Sequence, residues 1–341
     1  MTRRGWVLFL SMGVIWGVPY LLIKVAVDEL SPSTLVLART TMAGLLLLPL
    51  ALVRGHLRAL APSWVPILAF AAIEICVPWL LLGVAEQRLS SSLTGLLIAA
   101  VPLVGFVLAW SGGARLTGSE QAFDLRRAVG LVLGLGGVGA LVGFEVAAGD
   151  LGAVLALGVV VVCYAVGPMI LTRFLTHLPG LQVITVSLLA TALVYLPFGI
   201  AQAPERWPSA EATWSVVGLA VVCTALAFVV FFELIAEVGP TRSTVITYLN
   251  PAVALLLGVA ILDESFTVAT AVGFALILTG SFLATRATRA TRATRATRGA
   301  QADGVGSGPL AAASTAASVS VATSSAPPDT NSTSSDRIAN R

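Results

Sequence analysis

Apolar residues along this chain fall into long blocks, separated by short connections that are polar or rich in Pro and Gly. A helix that crosses a bilayer needs about 20 mostly apolar residues. Ten blocks approach or meet that length: 6–27, 33–53, 64–85, 91–111, 128–145, 151–171, 181–200, 213–236, 241–261 and 267–284. The pattern predicts an all-α integral membrane protein with ten transmembrane helices. The narrowest division is "EVGP", between the eighth and ninth blocks. The start, "MTRRGWVLFLSMGVIWG", has the basic beginning and apolar core of a signal peptide. Its apolar run continues to Val27 without a small-residue cleavage site, so it reads as an uncleaved first span.

Composition narrows the class further. Only 11% of the residues are charged and 57% are hydrophobic, with a mean hydropathy of +0.93. A soluble domain carries about 25% charged residues, enough to coat its surface. This chain does not. The net charge of +3 belongs to the tail: residues 1–284 hold 13 Arg/Lys against 14 Asp/Glu, and residues 285–341 hold 7 against 3. That distribution gives no reason to expect a nucleic-acid partner; the expected partners are the lipid bilayer and a small-molecule substrate. Cys76, Cys163 and Cys223 all lie in apolar runs with no pairwise spacing, which indicates neither disulfides nor a metal site.

Basic residues orient the spans. With a cytoplasmic N-terminus, the inner loops hold Arg3, Arg4, Arg54, Arg58, Arg115, Arg126, Arg127, Arg173 and Arg242, whereas the outer loops hold Arg88 and Arg206. Both termini are therefore expected to be cytoplasmic, in a multi-pass protein of the plasma membrane. Residues 284–298 repeat one triplet five times, "ATRATRATRATRATR", and the remaining tail is Ser, Ala, Thr, Gly and Pro. Such a composition cannot bury a core and predicts disorder from 285 to 341. It reads as a charged stop after the last span, with electrostatic binding to anionic lipid as the sharper alternative.

The two halves of the core repeat each other. "LLLLPLAL" at 45–52 answers "ALVYLPFG" at 192–199, and "IAAVPLVGFVLAW" at 98–110 answers "TYLNPAVALLLGV" at 247–259. "RAVGLVLGLGGVGAL" at 127–141 answers "TAVGFALILTGSFLA" at 270–284. An offset near 149 places Pro19 against Pro168, Lys24 against Arg173, and Pro102 against Pro251. The expected organisation is residues 1–145 as one repeat, 151–284 as the second and 285–341 as the tail. Each repeat has five spans, and an odd number makes the second insert upside down. Inverted repeats are a signature of secondary transporters, with a site near the midplane between the halves.

Three segments carry a resemblance to a known family: "IWGVPYLLIKVAVDELSPSTLVLARTTMAGLLLLPLAL", "AEQRLSSSLTGLLIAAVPLVGFVLA" and "ITYLNPAVALLLGVAILDESFTVATAVGFALILTG". They resemble the EamA-type members of the drug/metabolite transporter superfamily over roughly residues 5–284. The resemblance implies ten helices, cytoplasmic termini, and a central cavity lined by spans 1–4 and 6–9, with spans 5 and 10 at the periphery. The family often has a Gly-Glu pair after the fourth span; this chain has "SGGARLTGSEQ" there, and an Asp263-Glu264 echo after the ninth.

Glu74 is the candidate for chemistry. It lies mid-way along an apolar block, and a charged carboxylate at the bilayer centre costs at least about 2.5–3.5 kcal/mol. Such a group is either protonated or paired, and either state suits proton coupling. Pro78 has no N–H for the carbonyl four residues back, which is that of Glu74. Pro168, Pro251 and Pro19 are expected to free the carbonyls of Tyr164, Thr247 and Ile15 in the same way, and Pro102 breaks the fourth block. Candidates for the cavity lining are Trp16, Arg39, Trp79, Tyr164, Tyr248 and Asn250. Arg39 could pair with Glu74 or hold an anionic substrate. Lys24 and Arg173 read as snorkelling residues near span ends, and Glu233 and Glu237 as partners for Arg242. "GLGGVG" at 134–139 fits a dinucleotide-binding pattern, but it lies in an apolar span where glycines allow close helix packing. No catalytic constellation, metal-ligand spacing or cofactor motif stands out, so an enzyme is not expected. The expectation is a permease for a small metabolite or drug-like solute, driven by protons or by exchange. A homodimer is an open alternative to a monomer. The rival class is a non-transporting membrane sensor or assembly protein, whose docking surface would have to be the tail.

Overall fold

A computed structural model describes residues 1–113, 125–239 and 243–285, and among these every regular element is helical. Among the described residues, nine helices are long and apolar enough to cross a membrane. They are span 1 (Arg3–Val27), span 2 (Pro32–Arg54), span 3 (Leu57–Glu86), span 4 (Ser91–Ser111), span 5 (Leu125–Phe144), span 6 (Leu151–Phe174), span 7 (Gly180–Ala201), span 8 (Ala210–Val238) and span 10 (Val268–Thr285). The ninth, Val245–Ile261, is shorter. It opens with a tight 3-10 turn over Thr244–Tyr248, and the α-helix proper starts at Asn250. The chain is a multi-pass membrane protein. The predicted tail, Arg115 and Arg242 lie outside the described residues.

Local sequence explains most helix starts. Ser31 caps span 2 by accepting the Thr34 amide, with Pro32 next in the first turn, where its missing N–H costs nothing. Ser90 caps span 4 through the Leu93 amide, and Ser209 caps span 8 through the Ala212 amide. Large apolar side chains such as Leu193, Trp214 and Leu256 stay exposed on the helices, as a lipid-facing surface requires.

Residues Met1–Arg286 form one compact unit in which the two sequence halves pack against each other. Span 2 lies along span 7, span 5 along span 10, and span 4 along span 9. All three pairs run antiparallel. A Cβ added at Gly44 would press on Leu189, and one at Gly199 on Leu37, so rising numbers meet falling ones. Gly95 faces Ala254 while Gly258 faces Ser91. The "GLGGVG" glycines pack as expected of a membrane helix: a Cβ at Gly130 would lie 2.7 Å from the Ala284 nitrogen, and one at Gly137 lies 2.8 Å from the Gly273 carbonyl. Backbones approach this closely only where no side chain intervenes. Span 3 also packs on span 6, and span 1 on span 8, the corresponding pair when the halves are exchanged.

Candidate functional site

Two helices carry a wide turn in their middle. Span 3 is α-helical over Trp64–Phe70, π-helical over Ala71–Cys76 and α-helical again from Val77. Span 8 does the same, with the π-turn over Val221–Leu226. Such bulges leave backbone groups displaced from the regular ladder and recur at functional sites. In span 3 the bulge runs directly into Pro78, and the Tyr195 phenol of span 7 donates to the Cys76 carbonyl at 2.9 Å. The break is therefore broader than the single freed carbonyl expected at Glu74. Span 8 has no proline there. Instead the Thr224 hydroxyl donates to the Leu219 carbonyl at 2.7 Å, five residues back, and so caps the widened turn.

Glu74 sits inside the first π-turn. Its side chain lies against Gly167 of span 6, where any Cβ would overlap the carboxylate. Its Oε2 is buried and has no hydrogen-bond partner. Arg39, 6% exposed and about a third of the way along span 2, does not pair with it. Its guanidinium lies 3.6 Å above the centroid of the Trp79 ring, and its Nε donates to the Thr224 hydroxyl at 2.9 Å. Among the described residues, no carboxylate is within ion-pair distance of Arg39. The reason is geometric: the second π-turn offers Arg39 an oxygen, and the Trp79 face offers a quadrupole that attracts a cation by about 2 kcal/mol when desolvated. Tyr164 is within electrostatic reach of Glu74, Arg39 and Tyr20, and packs between the two largest apolar clusters. The arrangement thus places one carboxylate with an unpartnered oxygen, one cation with no carboxylate in ion-pair reach and two aromatic rings in the interior of the helix bundle.

The other expected site residues lie elsewhere. Trp16 packs against Phe228 and Phe231 of span 8, with ring centroids 6.1 and 4.8 Å away. The Tyr248 phenol reaches span 10, at 2.8 Å from the Thr285 hydroxyl and 3.3 Å from the Ser281 carbonyl. Asn250, with its amide oriented to satisfy both acceptors, donates to the carbonyls of Gly13 (3.2 Å) and Ile246 (3.0 Å), tying the broken ninth span to the first. Pro19, Pro78 and Pro251 are buried within their helices. Pro102 and Pro168 share the lining of a cavity of about 310 Å³ between spans 4 and 6, with Gly105, Phe106, Ala165 and Met169. A larger cavity of about 600 Å³ opens between spans 2 and 8 under the loop carrying Arg206 and Trp207, and reaches down to Ala38 and Met42 beside Arg39.

Glu233 and Glu237 meet Arg4 at 2.6 and 3.6 Å, so span 8 is latched to the start of span 1. Lys24 does not extend freely: its ammonium donates to the Glu86 main-chain carbonyl at 2.7 Å. Sequence reasoning passed over Thr224 and Tyr20. Thr224 stands 150 residues after Glu74, so the repeat offset could have found it.

The sequence model of the EamA-like transporter family matches residues 3–143 and again residues 151–286. The chain belongs to the EamA-like transporter family. Among its relatives, this EamA protein is 29% identical over 264 residues to the uncharacterized inner membrane transporter YedA of Escherichia coli, a match covering 75% of this chain and 82% of YedA. It is 26% identical over 271 residues to the uncharacterized transporter YvbV of Bacillus subtilis, covering 78% and 86%. One protein of known crystal structure shares the fold, with a TM-score of 0.60 at 22% identity over 84% of this EamA chain and 97% of the other.

Proposed function

We infer that this EamA-family transporter carries a small metabolite or drug-like solute across the cytoplasmic membrane by alternating access. Its halves act as inverted five-span repeats with both termini cytoplasmic. Support for the inversion comes from three equivalent span pairs that run antiparallel and from π-turns at corresponding places in spans 3 and 8. Movement of one half against the other then exposes the interior to each side in turn.

The observation that carries the functional reading is the Glu74 carboxylate in the first π-turn, whose Oε2 is buried without a hydrogen-bond partner. A carboxyl group in an apolar interior gains a proton readily and gives it up when the site opens to water. Arg39, held by Trp79 and Thr224 and free of a carboxylate partner, supplies a fixed positive charge for an anionic group on the solute. Proton coupling through Glu74 or solute exchange drives the cycle.

Internal pH in proteoliposomes, challenged with a panel of metabolites and cationic drugs, tests this. A solute that moves protons in the native protein should move none with Glu74→Gln, while the variant keeps its melting temperature. Proton movement unchanged in Glu74→Gln removes this residue from the coupling.

A further inference from the structure

At the end of the bundle opposite the N-terminus, spans 3, 4 and 9 bring together oxygen atoms that the Glu74 reading does not use. Glu86 closes span 3 and is completely buried, and neither of its carboxylate oxygens has a partner. Ser91 and Ser92 begin span 4; they are 0% and 4% exposed, and both hydroxyls are also unpartnered. Glu264 follows span 9 and turns its carboxylate onto the same helix start, where Oε1 accepts the Ser91 amide at 2.7 Å and Oε2 the Ser92 amide at 2.9 Å. The Ser91 and Ser92 hydroxyls and Glu264 Oε2 all crowd over the Cα of Gly258, where a Cβ would overlap them. Glu86 and Glu264 are near enough to repel each other. Thr94, one helical turn on from Ser91, adds another buried hydroxyl without a partner.

Such a set is costly as it stands, since each buried polar group left unbonded has lost the hydrogen bond that water would give it. Lys24 and Arg39 are the nearby cations. Lys24 donates to the Glu86 main-chain carbonyl rather than to either carboxylate, and Arg39 is held by Thr224 and Trp79. Two ionised carboxylates against Lys24 and Arg39 leave no net charge, so a divalent ion would bring two uncompensated positive charges and a monovalent ion only one. Hydroxyl and carboxylate oxygens are ligands for hard cations.

We propose that Glu86, Ser91, Ser92 and Glu264 form a binding site for a monovalent hard cation, Na⁺, at the junction of spans 3, 4 and 9. The charge count selects a monovalent ion over a divalent one. The hydroxyls favour a metal ion over a proton, because a proton on Glu86 could serve one acceptor only, whereas a metal ion is held by both serine oxygens and both carboxylates at once. Binding would tie the span 9 end to the start of span 4 and to the end of the helix that carries Glu74. The site goes beyond the coupling role given to Glu74 and does not depend on it.

The test is the melting temperature of the purified full-length protein in detergent, as NaCl replaces choline chloride at constant ionic strength, with KCl as a second series. The expected result is a saturable rise with Na⁺ that K⁺ and choline do not reproduce, and its loss in Glu86→Gln. Direct ²²Na⁺ binding to the native protein and to Ser92→Ala covers the case in which Glu86→Gln fails to fold. Loss of one ligand should weaken apparent Na⁺ affinity about tenfold, the effect of 1.4 kcal/mol. Equal stabilisation by all three salts, or stabilisation by acid alone, overturns the proposal. So does ²²Na⁺ binding that is absent from the native protein or unchanged in Ser92→Ala. Proton coupling by Glu74 survives each of those results, and its own failure leaves the Na⁺ result standing.

Discussion

Glu264 lies outside the spans, yet it holds the start of span 4 in place. Its carboxylate accepts two backbone amides, from Ser91 and Ser92, that no helix carbonyl could satisfy. A hydrogen bond to a charged acceptor contributes about 1.5–3 kcal/mol net. Glu264 is half-buried, so the lower figure applies to each bond, and Glu264→Ala should cost roughly 3 kcal/mol. Glu264→Gln keeps one acceptor and loses the charge, and should cost about half as much. Ser90→Ala removes the local cap on the same helix, a single bond to the Leu93 amide, and should cost about 1 kcal/mol. Thermal melting of the purified protein in choline chloride, without Na⁺, measures all three against the wild type. The expected order of loss is Glu264→Ala, then Glu264→Gln, then Ser90→Ala. A Glu264→Ala protein that melts with Ser90→Ala, or above it, refutes the claim that a residue from the second half anchors a helix of the first.

Gly137→Ala pushes a methyl to 2.8 Å from the Gly273 carbonyl, and should destabilise by about 1–3 kcal/mol on melting, as overpacking does. Gly136→Ala, one position along and facing open space, should instead be neutral or stabilise by up to about 1 kcal/mol. Thr224→Val keeps the shape of the second π-turn residue but removes its bonds to Leu219 and Arg39. It should lower solute uptake and cost about 1–3 kcal/mol, because the Arg39 Nε is left buried without a partner. The Ser209 hydroxyl and amide hold the Glu29 carboxyl below its ordinary value of 4.5. Its folded pKa is depressed, so its contribution is present above that value and fades as pH falls through the folded pKa. Melting curves between neutral and acid pH should lose that component in Glu29→Gln.

The apolar blocks determined the helices, because backbone polar groups in lipid must be bonded internally, and blocks of about 20 apolar residues have the length at which a helix does this and spans. Among the described residues, nine of the ten blocks correspond to long apolar helices and the remaining one, the ninth, to a shorter helix. The glycine-rich run in span 5 was also legible as a packing face, since the absence of side chains is itself the signal. The π-turn in span 3 was half legible: Pro78 announced a break, but only the Tyr195 phenol on another helix showed which carbonyl was served. The π-turn in span 8 was hidden, because a threonine in an apolar run is ordinary until its hydroxyl is seen reaching five residues back. The partner of Arg39 depended wholly on tertiary structure. The sequence offered Glu74 and passed over Thr224, which is 185 positions from Arg39; the packing of span 2 against span 8 chose the hydroxyl and the Trp79 ring. Composition and hydropathy set what each segment must be, since those forces act along the chain. Which polar atoms meet inside the bundle is set by helix crossings between residues more than a hundred positions apart, and no local pattern encodes them.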